Sequence, residues 1–154
     1  MSRVQLALNV SDLEQAIDFY SRFFGAAPAK VRPGYANFAI DEPPLKLVLI
    51  EGGGEAGTIN HLGVEVAFTE QVAAATAAFH GRGLATEVED ATTCCYALQD
   101  KVWVDGPDGA RWEVYTILDD APGSEGLGGD ERCCTPNSGA VSLNPMAPTA
   151  SSCC

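Results

Sequence analysis

No apolar run in this chain approaches the roughly 20 residues that a membrane-spanning helix needs. The first residues enter a period-two apolar pattern at once, without a basic and then apolar leader, so no secretory signal is expected. Cationic residues are scarce, with 9 Lys and Arg against 21 Asp and Glu and a net charge of -12. Such a surface repels phosphate backbones and anionic lipid, and no basic stripe offsets it. Nucleic acid and membranes are therefore not expected as partners. The Gly-rich stretch 52–57 lacks the Gly-Lys-Ser/Thr ending of a phosphate-cradling loop and reads as a linker. A cytoplasmic location is expected.

What is present suffices for one domain, because 154 residues with 46% hydrophobic side chains can bury a core of their own. Six cysteines fall into three adjacent pairs, Cys94-Cys95, Cys133-Cys134 and Cys153-Cys154. Neighbouring Cα atoms lie ~3.8 Å apart, whereas disulfides prefer roughly 4.4–6.8 Å, so a bridge within a pair would be strained. The pairs read as free thiols in a reducing compartment.

The chain uses one pattern twice. Val4 to Val10 and Ile59 to Val66 are both period-two strands, and aligning Val10 with Val66 sets Gln5 on His61. Each is followed by an amphipathic helix. The first has Ser11-Asp12-Leu13-Glu14 as a capping box and Leu13, Ala16, Ile17, Tyr20 and Phe24 on one face, ending at Gly25. The second carries Val72, Ala75, Thr76 and Phe79, with His80 in its last turn, where a cation suits the dipole. Strands are expected over 28–32, 35–40 and 45–51, then over 84–89, 98–104 and 110–118. The fold class is α+β, two βαβββ modules (1–51 and 59–118) joined by a linker at 52–58. Where the first module turns at Pro33-Gly34, the second has a long excursion through Ala91-Thr92-Thr93-Cys94-Cys95-Tyr96, and such insertions are where function concentrates. Residues 119–154 carry few large apolar side chains and are expected to form a flexible tail.

Matching the last strands of the modules sets Val48 on Glu113, so four equivalent positions read Gln5, Val48, His61 and Glu113. Taken singly, Gln5 reads as a polar strand start, His61 as a core histidine and Glu113 as a solvated charge. Their joint placement by the repeat favours a metal site. An amide oxygen, an imidazole and a carboxylate suit Fe(II), Mn(II), Ni(II) or Zn(II), and the missing fourth ligand leaves positions for substrate or oxygen.

The paired modules, His61 at the start of the second, and the segment from Asp105 to Glu113 resemble the vicinal oxygen chelate superfamily of glyoxalases, extradiol dioxygenases and bleomycin-resistance proteins. Within it, Val4-Gln5-Leu6-Ala7-Leu8, Pro33 to Ile40, Pro43 to Leu49, Asn60 to Val66, Thr93-Cys94-Cys95 and Gln99 to Val104 resemble the bacterial organoarsenical carbon-arsenic lyases and the related cadmium-induced proteins. The resemblance covers about residues 1–118. It implies a half-open barrel and an Fe(II)- and O2-dependent enzyme that removes methyl or aryl groups from trivalent organoarsenicals. Gln5, His61 and Glu113 would be its metal and catalytic residues, in a monomer or a homodimer.

Adjacent thiolates suit a thiophilic centre such as trivalent arsenic or Cd(II), which makes Cys94 and Cys95 the substrate-binding candidates. Tyr96, Gln99 and Lys101 are candidate pocket residues by proximity to them. Small trivalent arsenic acids are largely uncharged at neutral pH, so the acidic surface is no obstacle. The rival reading is a protein that sequesters Cd(II) or arsenite through its thiols without turnover. Because the tail lacks core-forming residues, a chain ending after Asp120 is expected to keep its melting temperature and most of its activity. A large fall in either on truncation would contradict that.

Overall fold

The computed structural model describes residues 1–94 and 96–120. Cys95 and nearly all of the expected tail, with Cys133, Cys134, Cys153 and Cys154, lie outside the described residues. In chain order the elements are β1 (Arg3–Val10), α1 (Leu13–Phe24), β2 (Lys30–Arg32), β3 (Tyr35–Ile40), β4 (Leu45–Glu51), β5 (Ile59–Glu65), α2 (Thr69–Gly81), β6 (Glu87–Cys94), β7 (Ala97–Asp105) and β8 (Arg111–Asp120). No described helix is long and apolar enough to cross a membrane.

The strands form one eight-stranded sheet in the order β2-β3-β4-β1-β5-β8-β7-β6, curled into a half-open barrel. Its two βαβββ units meet where β1 runs antiparallel to β5, and in each unit the first strand lies parallel to the last. The register reproduces the sequence repeat. Ala7 pairs with Val48 across β1 and β4 in the same way that Gly63 pairs with Glu113 across β5 and β8, and that correspondence also carries Gln5 onto His61.

Both helices pack on one side of the sheet, α1 against β3 and β4, α2 against β7 and β8. Under α1 the buried cluster is Leu13, Ala36, Phe38, Leu47 and Leu49, joined by Ala16, Ile17, Tyr20 and Phe24 at the helical spacing that defines its apolar face. The other side of the sheet is unusual. The buried positions of β1 are Gln5, Ala7 and Asn9, while its leucines at 6 and 8 are only half-buried. Two of the three most enclosed side chains on that strand are amides, and each must find partners inside the protein.

Three expectations need correction. The cap of α1 is Asp12 rather than Ser11: Asp12 is extended, and its carboxylate accepts from Gln15 N at 2.9 Å, while the Leu13 amide goes to Glu51 Oε1 at 3.0 Å. The excursion at 91–96 is not a loop. Thr92 and Thr93 favour extended backbone, and a bulge between Glu89 and Thr92, with Ala91 at φ 47, lets β6 continue to Cys94 opposite Ala97. The strand ends also move: β2 and β6 begin later than expected, at Lys30 and Glu87, and β8 runs on to Asp120. Replacing Asp12 by Ala is expected to lower stability by about 1 kcal/mol, read by denaturant unfolding. Ser11→Ala should be nearly neutral, and the reverse ranking would restore Ser11 as the cap.

Candidate metal centre

Gln5 on β1, Gly63 on β5 and Glu113 on β8 stand in one row across three paired strands, with His61 two residues before Gly63 on the same face. The row closes because its middle member has no side chain. A Cβ on Gly63 would lie 3.0 Å from Glu113 Cγ and 3.4 Å from Gln5 Cβ, so any larger residue would push the flanking side chains apart. Glycine inside a strand often marks such a close approach, and that signal was available in the sequence. Gln5, His61 and Glu113 are 4%, 5% and 3% exposed.

Their polar ends meet. Gln5 Nε2 lies 2.7 Å from Glu113 Oε1 and 3.0 Å from His61 Nε2, and the last two atoms are 3.4 Å apart. Donor atoms about 2.1 Å from one metal ion and at right angles to each other lie about 3 Å apart, so the triangle has the size of one face of a coordination sphere. Among the described residues no three His, Cys, Asp or Glu side chains converge. The third polar group meeting His61 and Glu113 is the amide of Gln5.

A chain of hydrogen bonds fixes the tautomer of His61. Asn60 Nδ2 donates to Asn9 Oδ1 at 2.9 Å and to Gly53 O at 3.3 Å, which turns Asn60 Oδ1 toward His61 Nδ1 at 2.8 Å. Nδ1 thus carries the proton, and the Nε2 lone pair faces Gln5 and Glu113. Outer-shell partners orient metal-binding histidines in this way. On the other side, Lys101 Nζ donates to Glu113 Oε2 at 2.9 Å. Burial alone would raise the pKa of Glu113, but the Lys101 charge is the largest of the influences that outweigh it, and the carboxyl is lowered to about 2. The site therefore keeps an anionic donor over the whole neutral range.

Tyr115, 1% exposed, stands behind the triangle and donates to Gln5 Oε1, with Glu65 Oε2 also in reach at 3.1 Å. Burial first, then the nearby Glu65 and Glu113 charges, push its phenol well above the ordinary range, so it stays a neutral hydroxyl. Lys46 ties off Glu65 at 2.9 Å and lies 5.0 Å above the Tyr115 ring. Trp103 meets the His61 ring edge-on at 5.6 Å, with Arg111 4.3 Å from its own ring centre. Glu65, Lys46, Trp103 and Tyr115 did not emerge from the sequence, because each joins the site through strand pairing alone.

The remaining candidates spread along β7. Lys101 belongs to the centre through Glu113. Gln99 is buried, its Nε2 donating to Cys94 O at 3.0 Å and its Oε1 without a hydrogen-bond partner among the described residues. Cys94 is buried opposite Ala97, six residues beyond Trp103 and so about 20 Å of strand from the row that contains Glu113. The structure does not bring Cys94 into the triangle. At the hairpin tip, however, Tyr96 bends back across the opening: it packs on Ala7, Tyr35, Val48 and Ile50, and its hydroxyl donates to Pro33 O at 3.1 Å. Lys30 Nζ donates to Tyr96 O at 3.2 Å and pairs with Asp120. Val48 thus sits in an apolar patch roofed by the hairpin that carries Cys94. Gly63→Ala is expected to lower stability by about 1–3 kcal/mol through overpacking and to weaken divalent-metal binding by roughly tenfold or more. Unchanged metal affinity in a folded Gly63→Ala protein would separate the row from the metal site.

Comparison with known proteins places the fold in a family. Residues 3–114 match the model of the Glyoxalase/Bleomycin resistance protein/Dioxygenase superfamily. The cadmium-induced protein CadI of Mycobacterium tuberculosis is 60% identical over 143 residues, covering 93% of this chain and 92% of the relative. A trivalent organoarsenical cleaving enzyme of Thermomonospora curvata is 61% identical over 137 residues, covering 88% of this chain and 90% of the relative. Among solved structures, an extradiol ring-cleaving dioxygenase of B. fuscum superposes with a TM-score of 0.56 at 21% identity, over 78% of this chain and 34% of that one. With a half-open barrel of paired βαβββ units, a convergent polar triangle at its centre and a family match along most of its length, the chain belongs to the glyoxalase, bleomycin resistance protein and dioxygenase superfamily.

Proposed function

We propose that this protein cleaves the carbon–arsenic bond of trivalent organoarsenicals with Fe(II) and O2, releasing arsenite. The observation that carries the reading is the buried triangle of Gln5, His61 and Glu113 in a chain 61% identical to a trivalent organoarsenical cleaving enzyme. Bound Fe(II) would supply the activation of dioxygen. Gln5 through its amide oxygen once the amide is turned, His61 through Nε2 and Glu113 through a carboxylate oxygen would hold the ion. Val48 has no donor at the fourth equivalent position, which would leave room for substrate and oxygen. Lys101 holds Glu113 ionised and oriented, and Asn60 holds the His61 ring.

Cys94 and Cys95 carry the substrate in this reading. Two thiols displace two hydroxyls from trivalent arsenic as water, leaving two arsenic–sulfur bonds and the carbon bond directed away from them. The hairpin that bears Cys94 packs toward Val48 through Tyr96, which supports a substrate site in the same half-open barrel. Pentavalent arsenicals, with a fully substituted centre, cannot make that exchange without prior reduction. Tyr35, Tyr96 and Trp103 give the cleft aromatic walls that limit water.

The similarity to a cadmium-induced protein, at 60% identity, supports a second reading as a thiol-based Cd(II) or arsenite binder without turnover. Oxygen uptake separates the two. With Fe(II)-loaded protein and methylarsonous acid in air, arsenite should appear together with oxygen consumption. Cys94→Ser and Cys95→Ser should reduce release to background while retaining iron, and His61→Ala should lose both iron and release. Stoichiometric arsenic binding with no oxygen uptake would favour sequestration. Undiminished release by the double Cys variant would move substrate capture away from these thiols.

A further inference from the structure

Gln5 turns its amide nitrogen, not its oxygen, toward the other two members of the triangle. Its Nε2 faces His61 and Glu113, donating to Oε1 of the carboxylate at 2.7 Å, and its Oε1 faces Tyr115. That arrangement satisfies a buried carboxylate with a donor. A cation at the same vertex reverses the requirement, because an amide binds a metal through oxygen. The amide must then turn over, which removes the acceptor that Tyr115 was using and leaves an NH2 group in a buried site, where an unpartnered donor costs about 1–3 kcal/mol.

Tyr115 can serve both arrangements. A hydroxyl has one proton and two lone pairs, and two acceptors lie within its reach: Gln5 Oε1 and, at 3.1 Å, Glu65 Oε2. With the amide as found, the proton points at Gln5. With the amide turned, the same hydroxyl can donate to Glu65 and accept from Gln5 Nε2, with no movement of its oxygen. Glu65 is suited to that second role because Lys46 Nζ, 2.9 Å away, pairs with its carboxylate and fixes it, and Lys46 itself stands directly opposite Gln5 in the β1/β4 pair.

We infer that Tyr115, backed by Glu65 and Lys46, is a positioning residue for the Gln5 amide: its hydroxyl donates to Gln5 Oε1 in the arrangement found and would accept from Gln5 Nε2 with the amide oxygen turned toward a bound cation. The inference rests on Gln5, His61 and Glu113 being the metal ligands and adds a part that none of those residues can supply. It also accounts for an amide in the ligand set. A carboxylate at position 5 would need no turning and would place two buried anions side by side.

The test is Mn(II) affinity, followed by loss of the free-ion EPR signal. Mn(II) prefers oxygen and imidazole donors to thiolate, so the cysteines do not compete for it. Tyr115→Phe keeps the ring and its packing and removes only the hydroxyl. It should weaken Mn(II) binding by roughly 10–100-fold, the usual cost of losing an outer-shell partner, with an unchanged circular dichroism spectrum. In a Gln5→Ala background, where there is no amide to orient, the same Tyr115→Phe change should alter the remaining affinity by less than about twofold. Equal losses in both backgrounds, or none in the parent, would overturn the proposal. His61→Ala in the same assay tests the metal reading itself: if it binds Mn(II) as the parent does, the ligand assignment fails first, whatever Tyr115→Phe shows.

Discussion

An ionised carboxylate buried in the middle of a sheet is the constraint from which the rest of this structure follows. Glu113 cannot stay charged there without partners, since the penalty for removing such a group from water is several kcal/mol. Lys101 and Gln5 donate to it, and His61 completes the group at 3.4 Å. Each of those is buried too, and each passes the demand outward, His61 to Asn60 and Asn9, Gln5 to Tyr115 and Glu65, Glu65 to Lys46. The network ends only where its members reach the edge of the cleft, as at Asn9 with Thr58. A sheet face that would ordinarily be apolar is therefore polar at its centre, and the ordinary packing load falls on the opposite face under α1.

Duplication explains why one face can hold both arrangements. The same register occurs in each module, with Ala7 against Val48 in one and Gly63 against Glu113 in the other. Two differences between the copies convert packing into chemistry. Alanine to glycine opens the row so that Gln5 and Glu113 can approach, and valine to glutamate provides the charge. The first module kept its apolar version, and its Val48, Tyr35 and Ile50 give the β6–β7 hairpin something to close on through Tyr96. The asymmetry thus yields a polar wall and an apolar wall facing one cleft.

Gln5, His61 and Glu113 were legible in the sequence because the repeat is short-range information: two strands with the same alternation can be aligned without knowing how they pair. The α+β class and both helices were legible for the same reason. Tyr115, Glu65 and Lys46 were not, because nothing in their local pattern distinguishes them from other strand residues; only the pairing of β1 with both β4 and β5, and of β5 with β8, assembles them. Gly63 was visible and underread. The 91–96 segment was misread because its bulge interrupts the alternation that identifies strands, so a continuous hairpin looked like an insertion. The cap at Asp12 was misplaced by one residue for a different reason: Ser11 and Asp12 both suit that position, and the choice is made by the backbone entering from β1.

The separation of donor types along β7 has a chemical consequence of its own. Oxygen and nitrogen donors lie at the level of Trp103 and Lys101, while the thiol of Cys94, on β6, lies opposite Ala97 at the far end of β7. Had a thiolate joined the triangle, the centre would favour Zn(II), Cd(II) and other soft ions over Fe(II), since selectivity among divalent metals follows donor softness more than intrinsic affinity. Cys94 at the hairpin tip leaves the triangle with oxygen and nitrogen atoms alone. Tyr96 links the two regions, resting on the Val48 patch with its hydroxyl on Pro33 and its carbonyl held by Lys30.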